Sequence, residues 1–323
     1  MQINIMSYNK IFIIGTLPLP IGGVTIHTQR LITFLKNNNF KYNFFDYKKS
    51  TFIKGLSLFF KSKWIHIHAN NQIFIIIITI LSCIFFKKLI ITVHGEYNCK
   101  GWFINLLESI SLIISSVPIL LNELDYNRVK KINKNSLLIS SFIPPMDEPN
   151  LSTNTIDKIT NLKNNTKSIF CSNAYKLVYD YNGMEIYGII ELIQFFNNNA
   201  NFGFILSDPS GTYSSYFDSE NIQLNDNIVI INGNHSFFKV LELSDSFIRN
   251  TTTDGDSISV REALFLNKKV FATNCVNRPN DVILLSKLSI LIDDINMNLS
   301  THNSIQNNGA IELLNLYKLK LKY

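Results

Sequence analysis

The chain has 323 residues, is 46% hydrophobic and carries a net charge of +6, which predicts a globular protein of two domains. Its four cysteines are far apart and form no CxxC or Cys/His cluster, which excludes a disulfide framework and a cysteine-based zinc site and favours a reducing cytosol. The absence of any recognisable nucleic-acid-binding module or Arg-rich run argues against a nucleic-acid partner.

The charge is distributed unevenly along the chain. Residues 1–150 carry a net charge of +9, whereas residues 151–323 carry a net charge of −3. A basic half of this kind suits an anionic membrane surface or a phosphate-bearing acceptor, because clustered Lys is attracted to anionic lipid headgroups. A basic face that is only solvated remains the alternative.

The first residues, MQINIMSYNK, lead directly into an apolar strand without the features of a signal peptide, which predicts a cytoplasmic protein. The strand is predicted at Lys10–Gly15. The most apolar stretch, Ile73 to Phe86, has 14 residues and is closed by Lys87 and Lys88, whereas a membrane-spanning helix needs roughly 20. We therefore predict a buried or interfacial helix there.

Apolar runs rich in Ile, Val and Phe alternate with helix-like segments, which is typical of βαβ units around a parallel sheet. In the first half, the later strands are predicted at Lys41–Asp46, Trp64–His68, Leu89–His94, Pro118–Asn122 and Ser136–Ser140. The helices are predicted at Val24–Lys36, Gln72–Phe86 and Trp102–Ser115.

Residues Ile143 to Lys167 have no sustained apolar period and are rich in Pro, Asn, Ser, Thr and Asp, which predicts an interdomain linker. In the second half, strands are predicted at Ser168–Ala174, Phe202–Ser207, Asn227–Ile231, Ser246–Ile248, Val270–Thr273 and Ser289–Ile292. The helices there are predicted at Gly188–Phe196, Ser259–Leu266 and Gly309–Tyr323.

This order predicts an α/β protein of two doubly wound, Rossmann-like domains. The first covers residues 1–145, with the helix at 309–323 packing back on it, and the second covers 146–308. Ligands of such domains bind outside the carboxyl ends of the strands, here in a cleft between the two sheets. Neither GxGxxG nor GxxxxGK[ST] occurs, which disfavours a dehydrogenase and a P-loop enzyme.

The most informative segment is FIRNTTTDGDSISVREAL, from Phe247 to Leu264. It reads as the end of a strand, a polar turn with a glycine, and the start of a helix, whose free N–H groups suit a diphosphate. Asp254 lies in the turn and Glu262 about one turn into the helix. Both carboxylates can therefore reach one pocket and accept hydrogen bonds from a ribose and a sugar.

This segment resembles the retaining GT-B glycosyltransferases called group 1 or family 4, whose hallmark is an acidic residue, seven residues and a Glu. The resemblance implies that Glu262 binds the nucleotide ribose and that Asp254 contacts the donor sugar. It also implies that the backbone at Ser257, Ile258 and Ser259, with Gly255 in the same turn, holds the diphosphate.

Two segments of the first half extend the resemblance over almost the whole chain. Gly22 and Gly23 follow the first strand in LPLPIGGVTIHTQR, and family members carry a Pro-rich, GG-containing loop there, near the donor phosphates and the acceptor. His94 ends a strong strand in LIITVHGEYN, and the resemblance implies that it faces the donor sugar. The predicted catalytic residues are thus His94, Asp254 and Glu262.

The chain departs from the family where many members have an Arg and a Lys that neutralise the donor diphosphate. Here that region reads SNAYKLVYDYNGMEIYG, with Asn173 and Ala174 at the place of the Arg and Tyr187 at the place of the Lys. Lys176 is the nearby cation and is predicted to bind the donor. Arg261 or Arg278 could supply the charge instead, or catalysis is weak.

No metal site is predicted. His66 and His68 share one face of a strand because they are two residues apart, but a third ligand near that pair is not evident from the sequence. His27 is interpreted equally well as a residue on a helix surface. Asp254 and Asp256 have the spacing of a DxD motif, but the resemblance assigns this turn to sugar binding, so transfer without a metal or other cofactor is predicted.

Taken together, these patterns predict a hexosyltransferase type of enzyme that moves a sugar, with retention, from a nucleotide-diphosphate sugar to a glycan acceptor. A lipid-linked acceptor in surface polysaccharide biosynthesis (O-antigen of lipopolysaccharide, or capsule) is the hypothesis that the basic half and the apolar helix favour, with peripheral contact to an anionic cytoplasmic membrane. A non-catalytic sugar-nucleotide or membrane-binding protein of the same fold, and a sugar-nucleotide epimerase, are the alternatives.

Overall fold

The computed structural model describes residues 10–18, 22–180, 182–254, 257–291 and 307–321. The chain divides into two compact units: unit 1 is Met1–Met146 with Asn307–Tyr323, and unit 2 is Asp147–Gln306. The boundaries predicted from the sequence, after residues 145 and 308, lie one and two residues from these.

Unit 1 alternates strands and helices, and its central strands β1, β3, β4 and β5 are buried because helices cover both faces of a parallel sheet. Its elements in chain order are β1 (Ile11–Gly15), α1 (Gly23–Asn37), β2 (Tyr42–Asp46), α2 (Phe52–Phe60), β3 (Trp64–His68), α3 (Gln72–Ile84), β4 (Lys88–Val93), α4 (Trp102–Ile114), β5 (Val117–Leu120), α5 (Glu123–Val129) and β6 (Leu137–Leu138). All pairings are parallel, in the order β2-β1-β3-β4-β5-β6.

Unit 2 repeats this plan with a second sheet. Its elements are α6 (Thr153–Asn165), β7 (Ile169–Asn173), α7 (Ile189–Asn197), β8 (Gly203–Asp208), α8 (Thr212–Ser219), β9 (Ile228–Asn232), α9 (Phe237–Leu243), β10 (Ser246–Arg249), α10 (Ile258–Phe265), β11 (Lys269–Ala272) and β12 (Val282–Leu284). The strands are parallel, in the order β12-β11-β10-β7-β8-β9.

The last helix, α11 (Gly309–Leu321), belongs to unit 1 and packs against α1. Its apolar side chains, among them Leu313 and Tyr317, are buried with Ile11 and Ile13 of the first strand. The opposite face of the same sheet is covered by α2, α3 and α4, whose Phe59, Ile75 and Leu112 lie in a separate core cluster. The two helical layers of unit 1 thus cover opposite faces of one sheet.

Two predictions about local structure are wrong. The segment interpreted as a linker contains the helix α6. The Ser152 side chain caps the start of this helix, and Ile159 and Leu162 are buried. Its two buried positions are too few to show an apolar period among ten polar neighbours. A strand was predicted at Ser289–Ile292, whereas residues 290 and 291 are helical and the edge strand is β12; Ile292 lies outside the described residues.

The sequence also did not predict α2, α5, α8 and α9, which are short or carry apolar residues on the side away from the core. Among the described residues, no helix has the length and apolarity that crossing a membrane requires. The predicted apolar helix is α3, and it ends at Ile84.

Candidate functional site

Each sheet reverses its strand order at one place, and in open α/β sheets ligands bind at the carboxyl ends of the strands that flank such a reversal. In unit 1 the reversal lies between β1 and β3, and in unit 2 it lies between β7 and β10. Ionisable side chains gather at both places. We call them the histidine cluster (His27, His66, His68 and His94, in unit 1) and the arginine cluster (Arg249, Asp254 and Arg278, in unit 2).

The arginine cluster is a carboxylate held between two guanidinium groups. Arg249, the last residue of β10, donates from Nε to Asp254 Oδ2 and from Nη2 to Oδ1, both at 3.1 Å. Arg278, in the loop after β11, donates from Nη1 to Oδ2 at 2.8 Å. The side chains of Asp254 and Arg278 are only 6% and 3% exposed. The cluster is therefore a desolvated network with one positive charge in excess.

The two guanidinium groups keep Asp254 ionised. Burial raises the pKa of its carboxyl, but the charges and hydrogen bonds of Arg249, and then of Arg278, outweigh burial and hold that pKa below its usual value. Burial likewise lowers the pKa of Arg249, and the adjacent carboxylate more than restores it. At neutral pH the cluster therefore carries a net charge of +1 at the carboxyl ends of β10 and β11.

Arg249 lies beside the two positions where the sequence lacks the Arg and Lys of the resembled family. Its Nη1 donates to the carbonyl oxygen of Asn173 at 3.4 Å, and its guanidinium carbon lies 5.2 Å from the centre of the Tyr187 ring, a cation–π distance. Lys176, Arg261 and Arg278 were the cations predicted to replace the family's Arg and Lys. The structure places Arg278 on Asp254, together with Arg249, which was not predicted from the sequence.

The loop before α7 is fitted closely to the end of β10. Thr252 donates its backbone N–H to the carbonyl of Ile186 at 2.9 Å. Gly188 has a φ of +62°, and a Cβ atom there would lie 2.3 Å from the carbonyl oxygen of Asn250. Only glycine fits at this position, so Tyr187 and the Arg249 side chain it contacts are placed by close backbone packing.

The predicted diphosphate-binding backbone lies at the start of α10. Ser257 caps this helix through its side chain, which accepts from the N–H of Val260, and Ile258 and Ser259 form the first turn. Glu262 lies one turn further and is buried. Gly255 is outside the described residues, so its predicted role has no structural counterpart here.

Lys176, the remaining predicted donor-binding cation, is exposed on the loop after β7. Its Nζ lies 6.0 Å from the centre of the adjacent Tyr175 ring, and the structure records no ion pair for it among the described residues. Lys176 is thus a solvated cation near the end of β7, in contrast to the two buried arginines.

In unit 1, Gly22 and Gly23 begin α1. Gly22 is the N-cap residue, and it exchanges hydrogen bonds with Thr25, whose Oγ1 accepts from the Gly22 N–H at 3.0 Å and donates to the Gly22 carbonyl at 2.9 Å. Among the described residues, a Cβ atom at Gly22 would meet nothing within 4 Å. The start of this 15-residue helix is therefore open to an approaching group, and its N-terminus favours an anion.

The histidine cluster joins α1, β3 and the residue after β4. Nδ1 of His68 lies 3.1 Å from Nε2 of His94, and the His27 ring centre lies 5.3 Å from that of His68 and 5.1 Å from that of His94. His27 Nδ1 donates to the carbonyl of Ser141 at 2.9 Å. His66 forms two hydrogen bonds, between Nδ1 and Tyr317 Oη at 2.5 Å and between Nε2 and Thr92 Oγ1 at 2.8 Å.

This arrangement confirms that His66 and His68 share a face, since their ring centres are 4.1 Å apart. The alternative of His27 on a helix surface is wrong, because its side chain is buried at 2% exposure. No third ligand was expected near that pair, but α1 packs His27 against His68, and His94, the residue after β4, lies alongside His68.

Burial favours the neutral form of His66, His68 and His94. It lowers the pKa of His66 to about 3, with the charge of His27 as a smaller contribution, and it lowers the pKa values of His68 and His94 well below their usual range. Within the described residues, His27, His68 and His94 are the group whose geometry suits a metal ion, with one nitrogen of each within 4.8 Å of the others. Neutral imidazole is the form that ligates zinc, at about 2.0–2.1 Å.

No family model and no curated protein matches the chain, whereas several solved structures share its fold. Anabaena HepE in complex with UDP-glucose matches with a TM-score of 0.68 and 12% identity, over 97% of this chain and 99% of that chain. Sucrose-phosphate synthase from Thermosynechococcus elongatus matches with a TM-score of 0.67 and 13% identity, over 97% and 99%. S. aureus MnaA, in a co-structure with UDP, matches with a TM-score of 0.63 and 11% identity, over 97% of each chain.

These similarities, with the two parallel six-stranded sheets, show that the fold is GT-B. The fold class predicted from the sequence is confirmed.

Proposed function

We propose that the chain is a retaining glycosyltransferase, of the group 1 or family 4 type, that takes a sugar from a nucleotide-diphosphate sugar. The observation that carries the proposal is the arginine cluster at the strand-order reversal of unit 2. The side chains of Arg249 and Arg278, 13% and 3% exposed, and the start of α10 lie at the edge of the sheet where a ligand is expected. A departing diphosphate is the anion that such a pair of cations suits, because Arg binds phosphate oxygens through two parallel hydrogen bonds.

The proposed roles follow from these contacts. Arg249 and Arg278 stabilise the charge that develops on the diphosphate as its bond to the anomeric carbon breaks, which is the largest requirement of this chemistry. Asp254, besides the contact to the donor sugar that the resemblance implies, fixes the orientation of both guanidinium groups. Glu262 binds the ribose, and the first turn of α10 holds the phosphates. These permanent charges support transfer without a metal.

In the proposed reaction, the acceptor hydroxyl approaches from the face that the diphosphate leaves. The bond between the anomeric carbon and the donor oxygen breaks, the acceptor oxygen bonds to the same carbon, and the hydroxyl proton passes to the departing diphosphate. The configuration at the anomeric carbon is thereby retained. His94, a neutral imidazole in unit 1, is proposed to hydrogen-bond a sugar hydroxyl, with unit 1 binding the acceptor near Gly22 and Gly23.

The acceptor is proposed to be a lipid-linked glycan precursor of a bacterial surface polysaccharide, reached from the cytoplasmic side of the membrane. Support comes from the net charge of +9 over residues 1–150 and from the apolar helix α3. Since HepE and MnaA were solved with UDP or UDP-glucose, uridine nucleotides are the first donors to test.

The test is thermal stabilisation of the purified protein by a panel of nucleoside diphosphates and nucleotide sugars in EDTA, followed by release of nucleoside diphosphate when a membrane extract supplies acceptor. A ligand at 100 times its dissociation constant adds about 2.7 kcal/mol of stability. We expect a shift with one base, lost in Glu262→Ala. A shift without turnover on any acceptor would favour a non-catalytic binding protein, and a shift with interconversion of the free nucleotide sugar would favour an epimerase.

A further inference from the structure

The outer layer of α2, α3 and α4 in unit 1 is apolar where a helix layer facing water is polar. Of thirty large apolar side chains exposed among the described residues, sixteen lie between Phe52 and Ile114. Monomeric soluble proteins rarely expose a contiguous apolar patch of more than a few hundred Å². We call this layer the apolar face.

Helix α3 is partly inverted with respect to its sheet. Its polar side chains Gln72, Thr79 and Ser82 are buried beside Ile75 and Ile76, whereas four other isoleucines are exposed. These are Ile73, Ile77, Ile80 and Ile84, each 49% to 59% exposed. An inverted pattern costs stability in water on both sides of the helix, since polar groups must be satisfied inside and apolar groups are hydrated outside.

Helix α4 has the same inverted pattern. It buries Glu108 and Ser111, and the buried Gln72 side chain of α3 donates to Ser111 Oγ at 3.2 Å. Outwards it presents six large apolar side chains, from Trp102, which is 80% exposed, to Ile114. Polar contacts therefore join α3 to α4 beneath an outer surface that is almost purely apolar.

Helix α2 continues this surface. Phe52 and Ile53 are 77% and 79% exposed, and Phe60 at its end stacks edge-on against Phe85, with ring centres 4.9 Å apart. All three helices cover the same face of the sheet, because Phe59, Ile75 and Leu112 share one core cluster. The apolar face is thus one continuous layer of three neighbouring helices.

Lysines surround the apolar face at both ends of its helices. Residues 47–116 contain eight Lys, no Arg and two acidic residues. One of the acids, Glu108, is buried and paired with Lys100 at 2.9 Å. Lys48, Lys61 and Lys88, which flank α2 and α3, are exposed. Two copies of the chain joined through this face would bring these lysines together, whereas an anionic surface would attract them.

We infer that the apolar face docks the protein on an anionic phospholipid bilayer, with α2, α3 and α4 lying in the plane of the headgroups. A helix of 13 residues is about 20 Å long, so α3 and α4 lie along the interface rather than across it. Apolar insertion and lysine attraction are the two contributions that stable peripheral binding needs. The inference specifies the membrane contact of the proposed function, since it places the face of unit 1 on the bilayer that holds a lipid-linked acceptor.

The test is flotation of the full-length protein with bare vesicles, either of phosphatidylcholine or of phosphatidylcholine with one-third phosphatidylglycerol, without any sugar nucleotide. We expect the protein to float with the anionic vesicles and to be released as NaCl rises from about 0.1 M to about 0.5 M, since the Debye length shrinks. A wild-type protein that stays at the bottom with both vesicles overturns the inference.

Two variants separate the two contributions. Ile77→Gln with Ile80→Gln and Trp102→Gln should lower the vesicle partition coefficient more than about tenfold. Its matched control, Ile156→Gln with Ile311→Gln and Leu319→Gln, changes side chains that are 39% to 53% exposed elsewhere and should bind as wild type.

For the lysines, Lys48→Gln with Lys61→Gln and Lys88→Gln should weaken binding to anionic vesicles by about fivefold for each charge removed. Lys158→Gln with Lys163→Gln and Lys167→Gln, all exposed in unit 2, is the control. Equal losses in variants and controls overturn the inference, and thermal unfolding of each variant shows that it is folded.

A second copy is the competing occupant of the apolar face. Sedimentation without vesicles tests it: a dimer that the Ile77, Ile80 and Trp102 substitutions convert to a monomer, with no vesicle binding by the wild type, assigns the face to self-association and overturns the inference. The vesicles carry no acceptor, and no donor is present, so flotation is measured independently of nucleotide binding. Failure of the membrane inference would therefore leave nucleotide binding intact, and failure of nucleotide binding would leave flotation intact.

Discussion

Arg249 shows what the sequence could and could not predict about the site. The turn from Asp254 to Glu262 was recognised because its spacing is local. Arg249 was not, because its role depends on the ends of β7 and β10 being neighbours, with Asn173 and Tyr187 both beside it. Arg278 lies 24 residues from Asp254 and could be named only as one of three candidates, since the path of the loop after β11 is not encoded in any local pattern.

Substitution should distinguish Arg249 and Arg278, which we propose bind the diphosphate, from cations that do not contribute to its affinity. We expect Arg249→Ala and Arg278→Ala each to weaken binding of a nucleoside diphosphate by about tenfold to a hundredfold, since a hydrogen bond to a charged group contributes about 1.5–3 kcal/mol. Titration calorimetry in EDTA measures this. Arg128→Ala, on a side chain 46% exposed in unit 1, is the control. A larger loss in Lys176→Ala than in either arginine variant would contradict the assignment.

Substitution of Gly188, with Gly183 as its control, tests the close packing of the loop before α7. Both have positive φ, but a Cβ atom at Gly188 would meet the Asn250 carbonyl at 2.3 Å, whereas at Gly183 it would meet none of the described residues within 4 Å. We expect Gly183→Ala to cost about 1–2 kcal/mol, and Gly188→Ala to cost about 1–3 kcal/mol more because it is also overpacked. Denaturant unfolding checks this, and equal costs would show that the loop yields freely.

At the scale of elements, the central strands and the long helices were predicted within two residues of their observed ends, because a buried parallel strand is a short continuous apolar run. Helix α3 is the instructive exception. Its composition predicted that it is apolar but not which side faces the sheet, since a helix that is apolar nearly all round has no clear stripe. On the buried side of α3, Gln72 bonds to Ser111 of α4, Thr79 donates to the carbonyl of Ile75 in its own helix, and Ile75 and Ile76 are buried beside them.

The histidine cluster predicts a pH dependence of unit 1. Burial lowers the pKa of His66 to about 3, and an unfolded His titrates near 6.5. Between these values the unfolded state binds protons that the folded state does not, so stability is fully present above about pH 6.5 and falls with decreasing pH, by up to about 1.4 kcal/mol per pH unit for one such group.

We expect the unfolding free energy, measured in EDTA from neutral pH to about pH 4.5, to fall steeply in the wild type. The slope should be shallower in His66→Gln, which keeps hydrogen-bonding groups but does not titrate. An unchanged slope in this variant would mean that His66 is protonated in the folded state.

At the scale of the whole chain, α11 belongs to unit 1 although unit 2 separates it from the rest of that unit in the sequence. Substitutions in α11 test how much its packing contributes to the free energy of unfolding. Leu313 is 1% exposed and Ile311 is 49% exposed, two residues apart on the same helix. Leu313→Ala should cost about 2–5 kcal/mol, whereas Ile311→Ala should stay within about 0.5 kcal/mol. Urea unfolding measures both, and similar small costs would show that α11 does not contribute to the core of unit 1.

The central claim is that the arginine cluster of unit 2 holds the diphosphate of a sugar-nucleotide donor. Calorimetric titration in EDTA with a nucleoside diphosphate and with the monophosphate of the same base, beginning with UDP and UMP, tests it most directly. We expect the wild type to bind the diphosphate at least about tenfold more tightly, which corresponds to about 1.4 kcal/mol, and the double variant Arg249→Ala with Arg278→Ala to bind the two alike. If no base gives binding, or if the preference for the diphosphate survives in the double variant, the account of this site is wrong.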